Sequence, residues 1–356
     1  MKYILFYHKE DNDGVFSGAL FYDYLVNIMN VDKSEIHLYP ADYNDLKKFA
    51  ENNDNIKELQ ERYENLIMTD ISFTEDYMGK LYKAYGSKMI WCDHHTPIIN
   101  ASFANGFSSC PGIRNPLKSA ILCVYEFLYD SFEEIYCTCE PGKENKAFPQ
   151  LLRILSAWDS WSYEREGFEF EYVSAVNKGI SHLFNLSFSD VAEVAAKVRI
   201  AYSGSNKRDI KAAYTDLELT INKAYEAGCF IDEYESRKNA GLVEKCGDMT
   251  WAIHIEDEDK GHPLYRKCCA IFKQGGSSSA MFYSLRKTHP EINHGLVFKR
   301  NPDSTWTVSL YNINEDDWFH CGEFMKEQYG GGGHKGAAGC TVSQAKFIEI
   351  LKCKIL

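Results

Sequence analysis

The chain has 356 residues, enough for two hydrophobic cores, and its 45% hydrophobic and 25% charged residues are ordinary for a globular protein that needs no disulfides. A net charge of −12 excludes a protein that coats long DNA or RNA, though not a small anionic substrate met locally by metals and a few basic side chains. None of the 12 cysteines forms a CxxC pair, so structural zinc is not expected; the thiols read as reduced and the protein as cytoplasmic, and no apolar run reaches the roughly 20 residues of a membrane span.

In chain order, Tyr3 to Tyr7 reads as a buried strand that runs into His8-Lys9-Glu10-Asp11-Asn12-Asp13-Gly14. Val15 to Met29 follows as a helix, with Val15, Ala19, Tyr22 and Val26 on one face. Ile36–Tyr39 and Leu66–Asp70 are further strands. Thr74 to Tyr85 is a helix with Thr74 as its expected N-cap, and Lys88–Cys92 is a fourth strand, ending at Asp93-His94-His95. Helices around Ser119–Tyr129 and Gln150–Trp158 come next. Strands alternating with helices predict βαβ units and a mostly parallel sheet, in which ligands bind beyond the carboxyl ends of the strands. Three strand ends terminate in Asp or His.

Asn185 to Lys245 is charged, helix-prone and nearly free of Gly and Pro, which predicts a helical connector. Beyond it the expectation is a strand at Trp251–Glu256, a helix at Ser277–Thr288 after Gly275-Gly276, and paired strands at Gly295–Lys299 and Thr305–Tyr311. A helix over Asp316–Gln328, a flexible loop at Gly330–His334, a short strand and a closing helix at Ser343–Leu351 complete the chain. The predicted class is α/β: residues 1–190 a metal-binding catalytic domain, 191–245 a helical connector, and 246–356 a smaller α/β substrate-binding domain.

The chemistry concentrates in a few places. His8, Asp11 and Asp13 leave the first strand together; an imidazole and two carboxylates on one loop suit Mn²⁺, Zn²⁺ or Fe, and carboxylates suit Mg²⁺. The plainer reading is a solvated, capped turn. Asp70 alone would be a cap, and Asp159 alone an ordinary helix-end residue. Asp93-His94-His95 is sharper, because one imidazole can ligate metal while the other faces substrate and a neighbouring carboxylate fixes the tautomer. Pooled, His8, Asp11, Asp13, Asp70, His94 and Asp159 suffice for two cations, with Asp70 placed to bridge. Two cations roughly 3.5–4 Å apart clamp a phosphoryl group and activate water for in-line attack. His95 would steady charge on phosphoryl or leaving oxygens. The run Gly330 to Gly339 lets backbone amides approach a ligand, and His334 and Lys335 add donors and charge; the plainer reading is a floppy linker.

His8-x-x-Asp11-x-Asp13-Gly14, Asp70, Asp93-His94-His95 and Asp159 resemble the successive motifs of the DHH phosphoesterase superfamily. GGGGHKGAAG resembles the signature of its DHHA1 C-terminal domain, so the resemblance covers nearly the whole chain in the right order. It implies a DHH domain and a smaller DHHA1 domain with the active site in the cleft between them, and Mn²⁺-dependent phosphoester hydrolysis with two ions (Mg²⁺ as the alternative). It maps metal ligands onto His8, Asp11, Asp13, Asp70, His94 and Asp159, catalytic roles onto Asp93, His94 and His95, and substrate binding onto Gly332, Gly333, His334 and Lys335. The style of the first motif is most similar to the oligoribonuclease (nano-RNase) branch, which implies a phosphodiesterase on short oligoribonucleotides or linear dinucleotides. The alternatives are a phosphomonoesterase or pyrophosphohydrolase on pAp or polyphosphate, and a non-catalytic nucleotide-binding protein. The expected partner is a short oligonucleotide or nucleotide, with no long nucleic acid and no membrane. One departure stands out: where related chains carry Ser-Leu-Arg, this chain has Ser309-Leu310-Tyr311, leaving Arg266, Arg286 or Arg300 to supply charge.

Overall fold

The structure is a computed structural model describing residues 2–53, 55–129, 149–246, 250–257, 262–272, 279–282, 285, 289–313 and 319–352. The chain divides into two units, Met1–Asp232 and Glu233–Leu356.

The first unit is built on four strands: β1 (Tyr3–His8), β2 (Ile36–Ala41), β3 (Asn65–Thr69) and β4 (Met89–Cys92). They form a wholly parallel sheet in the order β2-β1-β3-β4. The short apolar sequences of β1, β3 and β4 fit strands covered on both faces, while β2, at the sheet edge, is only partly buried. Alternation divides the side chains between two cores. Ile4, Phe6, Leu66, Met68, Met89 and Trp91 pack against α2 (Tyr43–Asn52), α3 (Ile56–Arg62) and α4 (Glu75–Tyr85). Leu5, Tyr7, Ile67 and Cys92 face a larger helical layer of α1 (Asn12–Asn27), α6 (Ala120–Tyr129), α7 (Gln150–Asp159), α8 (Phe170–Phe184), α9 (Phe188–Ser203) and the first half of α10 (Lys207–Cys246). The short α5 (Thr96–Ala104) follows β4.

Parallel register fixes where the strands end. His8 pairs with Ala41, Tyr7 with Thr69, and Thr69 with Cys92. Residues just beyond the strands, namely Lys9, Asp42, Asp70 and Asp93, therefore line one edge of the sheet, as a parallel α/β sheet requires of a ligand-binding edge.

The strands and helices expected in this half are present within a few residues. Thr74 holds the N-cap position of α4 but makes no side-chain cap bond. The expected connector is helical, yet its first part is core: Val191, Val194, Ala195 and Val198 are buried among the helices of the first unit, and the unit boundary falls inside α10. Cys137 and Cys139 lie outside the described residues, and eight cysteines are free thiols among those described. Among the described residues, no helix is long and apolar enough to cross a membrane.

The second unit carries a six-stranded sheet in the order β5-β6-β7-β8-β10-β9. The strands are β5 (Thr250–Asp257), β6 (His262–Phe272), β7 (His294–Arg300), β8 (Trp306–Asn312), β9 (Gly332–Gly333) and β10 (Ala337–Val342). All neighbours are antiparallel except β6 and β7. Leu296, Phe298, Val308, Leu310 and Val342 pack against α11 (Cys321–Tyr329) and α12 (Gln344–Lys352) through Met325, Phe347 and Ile350. The helix expected from Asp316 begins at Cys321, with His320 as its cap; residues 314–318 lie outside the description. Most of the helix expected at Ser277–Thr288 also lies outside it, as do Gly275 and Gly276; Ser279–Phe282 forms a 3₁₀ turn.

Candidate metal centre

The site grows from the carboxyl edge of the parallel sheet. His8 ends β1, and Asp11 is the N-cap of α1, its Oδ1 accepting from the Gly14 amide at 2.8 Å. The turn works only with glycine at 14, because a Cβ there would lie 2.2 Å from the His8 carbonyl oxygen. Asp13, in the first turn of α1, is held from the opposite side: its Oδ2 and Oδ1 accept from the amides of Ala120 and Ile121, at 2.8 and 2.7 Å, at the start of α6. Asn12 between them is buried, and its Nδ2 donates to Asn177 and Ser181 of α8, tying the loop to that helix.

Asp70 follows β3 with φ +57°, a left-handed conformation that Asp tolerates better than most residues. His94 follows β4, and Asp159 ends α7. Three carboxylate oxygens converge on His94 Nε2: Asp70 Oδ1 at 3.2 Å, Asp159 Oδ2 at 3.3 Å and Asp13 Oδ2 at 3.5 Å. On the other side of Asp70, His8 Nδ1 lies 3.6 Å from Asp70 Oδ2 and 3.0 Å from Asp11 Oδ2. Asp70 thus belongs to three compact donor groups at once, His8–Asp11–Asp70, Asp13–Asp70–His94 and Asp70–Asp93–His95, of which the first two leave Asp93 to its bonds with Trp91 and the His94-His95 turn.

The electrostatics fit a cation site. Burial disfavours a charged His8 ring, but Asp11 and Asp70 outweigh it and raise its pKa to about 11. His94 behaves alike: burial opposes charge, and Asp159, Asp70 and Asp13 push its pKa well up. Burial raises Asp159 to about 6 against the pull of His94, and burial together with Asp70 and Asp159 raises Asp13 strongly. Burial pushes the Asp70 pKa up, yet the His8 and His94 rings beside it outweigh that and hold it well below the usual carboxylate range. Asp70 Oδ1 and Asp159 Oδ2 are buried with no aligned hydrogen-bond donor. Carboxylate oxygens left this way are costly unless positive charge meets them. Their oxygen-and-imidazole donor set suits Mn²⁺, and its carboxylates suit Mg²⁺.

Asp93 has a different character. Its carboxylate is fully buried and accepts from Trp91 Nε1 (2.9 Å), the amides of His94 (2.7 Å) and His95 (3.1 Å), and His95 Nδ1 (2.7 Å). Its bonds hold the His94-His95 turn, and the sequence reading groups it with the catalytic residues. His95 is 21% exposed against 2% for His94, so His95 is the histidine on the open side.

Gly332, Gly333, His334 and Lys335 belong to the second unit. The loop expected to be flexible is partly strand: Gly333 pairs with Ala338 and Gly332 with Gly339. The amides of Cys321 and Gly322, at the start of α11, donate to the carbonyls of Lys335 (3.1 Å) and His334 (2.9 Å). Gly333 has φ +141°, and a Cβ there would meet the Ala337 carbonyl at 2.5 Å, whereas Gly332 faces open space. Tyr311 is buried against Phe282, which makes it part of the core. Arg300 ends β7 exposed, Arg286 lies outside the described residues, and the Arg266 side chain is not among those described. Sequence reasoning missed Asn12 and Trp91 as supports of the site; both stand within or beside the motifs, as a buried amide and an indole that needs an acceptor.

No family model matches the chain. It is 22% identical over 290 residues to the oligoribonuclease NrnB of Bacillus subtilis, covering 80% of this chain and 61% of that protein, so the chain spans about three-fifths of the relative's length. Among solved structures it is similar to the DHH domain of a member of a ribosomal-protein family (16% identity, TM-score 0.47, covering 99% of this chain and 85% of that one). It is also similar to the exonuclease RecJ bound to manganese (14% identity, TM-score 0.41, covering 99% and 88%). The motifs and their order in the sequence resemble those of the DHH phosphoesterase superfamily.

Proposed function

We propose that the chain is a divalent-metal-dependent phosphodiesterase that hydrolyses short oligoribonucleotides or linear dinucleotides. The observation that carries this reading is the convergence of Asp13, Asp70 and Asp159 on His94 Nε2, with Asp70 shared by the His8–Asp11 group. The similarity to an oligoribonuclease supports the substrate class. His8, Asp11, Asp13, Asp70, His94 and Asp159 would hold the cations, two of them with Asp70 between, and Mn²⁺ is the favoured ion. Bound there, cations neutralise phosphoryl charge and acidify water.

The chain's own groups do the rest. Asp93 accepts the Nδ1 proton of His95 and so fixes one ring orientation. Burial opposes charge on the His95 ring, but Asp93 outweighs it and raises its pKa, and the doubly protonated ring donates from Nε2 to a phosphoryl or leaving-group oxygen as charge develops. In the second unit Gly332, Gly333, His334 and Lys335 would bind the phosphate or nucleotide end of the substrate; Gly332, with open space above its Cα, admits a close approach. A net charge of −12 favours short substrates over long strands that need a basic channel.

The test is hydrolysis of 5′-labelled RNAs, from dinucleotide upward, with Mn²⁺, beside pAp, polyphosphate and cyclic dinucleotides. Mononucleotide release from the shortest RNAs, abolished by EDTA, restored by Mn²⁺ and absent in a folded His94→Gln variant, is expected. Full turnover by His94→Gln would sink the site assignment, and turnover of pAp alone would move the protein to the phosphomonoesterases.

A further inference from the structure

We infer that Tyr43 is the base-stacking platform of this site, a specificity-determining residue that holds the nucleobase adjoining the scissile phosphate; the inference rests on the phosphodiesterase reading above. Tyr43 is the first residue of α2, two residues beyond the carboxyl end of β2. Its ring centroid lies 6.1 Å from that of His8 and 6.5 Å from that of His95, edge-on to the latter at 90°. These are the histidines on the open side of the cluster, 15% and 21% exposed, while His94, Asp13 and Asp70 are closed off at 2%, 1% and 2%. Tyr43 itself is 53% exposed. A single exposed aromatic is unremarkable on a protein surface; one flanked by the two open histidines of a phosphoester site is placed where the sugar and base of a bound nucleotide must go.

Packing does not explain the residue. The core face of α2 is carried by Leu46 and Phe49, and Tyr43 contributes nothing to it. What the fold fixes instead is its position. Asp42 and Asp45 form a capping box around the start of α2, and Lys9 binds both carboxylates, at 3.3 Å to Asp42. The Lys9 amide also donates to the Ala41 carbonyl at 3.1 Å. Since Lys9 is next to His8, this frame locks the backbone of Tyr43 to the strand that supplies the first ligand. The frame also occupies the Lys9 charge with two carboxylates, so this rim offers an incoming nucleotide a π-face. Stacking accepts every base and favours the larger purine surface.

The experiment compares wild type, Tyr43→Phe and Tyr43→Ala with Mn²⁺ on ApA, UpU and ApA analogues that lack one base or the other. For Tyr43→Ala we expect KM on ApA to rise about 10- to 100-fold with kcat nearly unchanged, the size of one lost base–aromatic stack. The rise should be smaller on UpU and absent on one of the two abasic analogues, and Tyr43→Phe should match wild type. An unchanged KM for Tyr43→Ala on ApA overturns the inference while leaving the phosphodiesterase reading intact. A loss shared equally by Tyr43→Phe also overturns it, because the hydroxyl would then be the acting group. Failure of the wild type to hydrolyse any dinucleotide, with Mn²⁺ bound, removes the phosphodiesterase reading and this inference with it.

Discussion

At the scale of the residue, the two neighbours Asp93 and His95 separate stability from chemistry. Asp93 is the acceptor for four donors, three of them on the two histidines and one on the buried indole of Trp91. Removing it strands buried donors, each of which costs about 1–3 kcal/mol when left without a partner. Asp93→Ala is therefore expected to lose at least about 3 kcal/mol of stability, read as a lower urea midpoint at constant m-value. His95 is partly exposed and makes its ring contact to the same carboxylate, so His95→Ala should shift the midpoint far less. It should instead cut turnover by about 10²- to 10⁴-fold, the usual scale of general acid–base help. If Asp93→Ala keeps full stability and loses only turnover, Asp93 is not the structural keystone its burial describes.

At the scale of the element, the glycine loop gives a paired prediction. Gly333→Ala forces a side chain into φ +141° and against the Ala337 carbonyl, while Gly332→Ala places a methyl in open space. The first should destabilise the second unit by roughly 1–3 kcal/mol. The second should leave thermal unfolding unchanged and raise KM, because it fills the gap a ligand would approach through; an unchanged KM for Gly332→Ala would remove the loop from substrate binding. The same loop shows where sequence reading stops. Glycine has no strand preference, so β9 exists only because β10 offers it a register, and nothing local announces that. The strands of the first sheet are legible because short apolar runs end repeatedly in Asp or His, and the candidate positions His8, Asp70 and His94 follow from those ends, whereas Asp159 closes a helix. Helix α2 escapes the sequence reading although Asp42 and Asp45 stand at capping-box spacing, and Tyr43 escapes with it. The change of unit between Asp232 and Glu233 has no local mark in the sequence: α10 is one continuous helix through both residues, with no glycine or proline break there.

At the scale of the whole molecule, the site is a debt in electrostatic energy that a cation would settle. Four carboxylates, Asp11, Asp13, Asp70 and Asp159, meet two imidazoles in a chain already at −12, and protons on His8, His94 and the carboxylates are what balance them otherwise. A cation that binds only the native state adds stability by mass action, about 2.7 kcal/mol at 100 times Kd. For a unit of this size that corresponds to a rise in Tm of about 5–10 °C. We expect Mn²⁺ to raise the transition of the first unit by that amount and EDTA to reverse it. The transition of the second unit should not move, since His8, Asp11, Asp13, Asp70, His94 and Asp159 all lie in the first. The increment should shrink as pH falls, because the protons that neutralise the ligands must leave before the cation enters. Screening alone would give a different pattern: Mn²⁺ and an inert salt at equal ionic strength would act alike, and His94→Gln would respond as the wild type does. An ion-specific increment that disappears in His94→Gln ties the stabilisation to the convergent carboxylates; an increment that survives the substitution means the cation binds elsewhere and the site as described is not a metal centre.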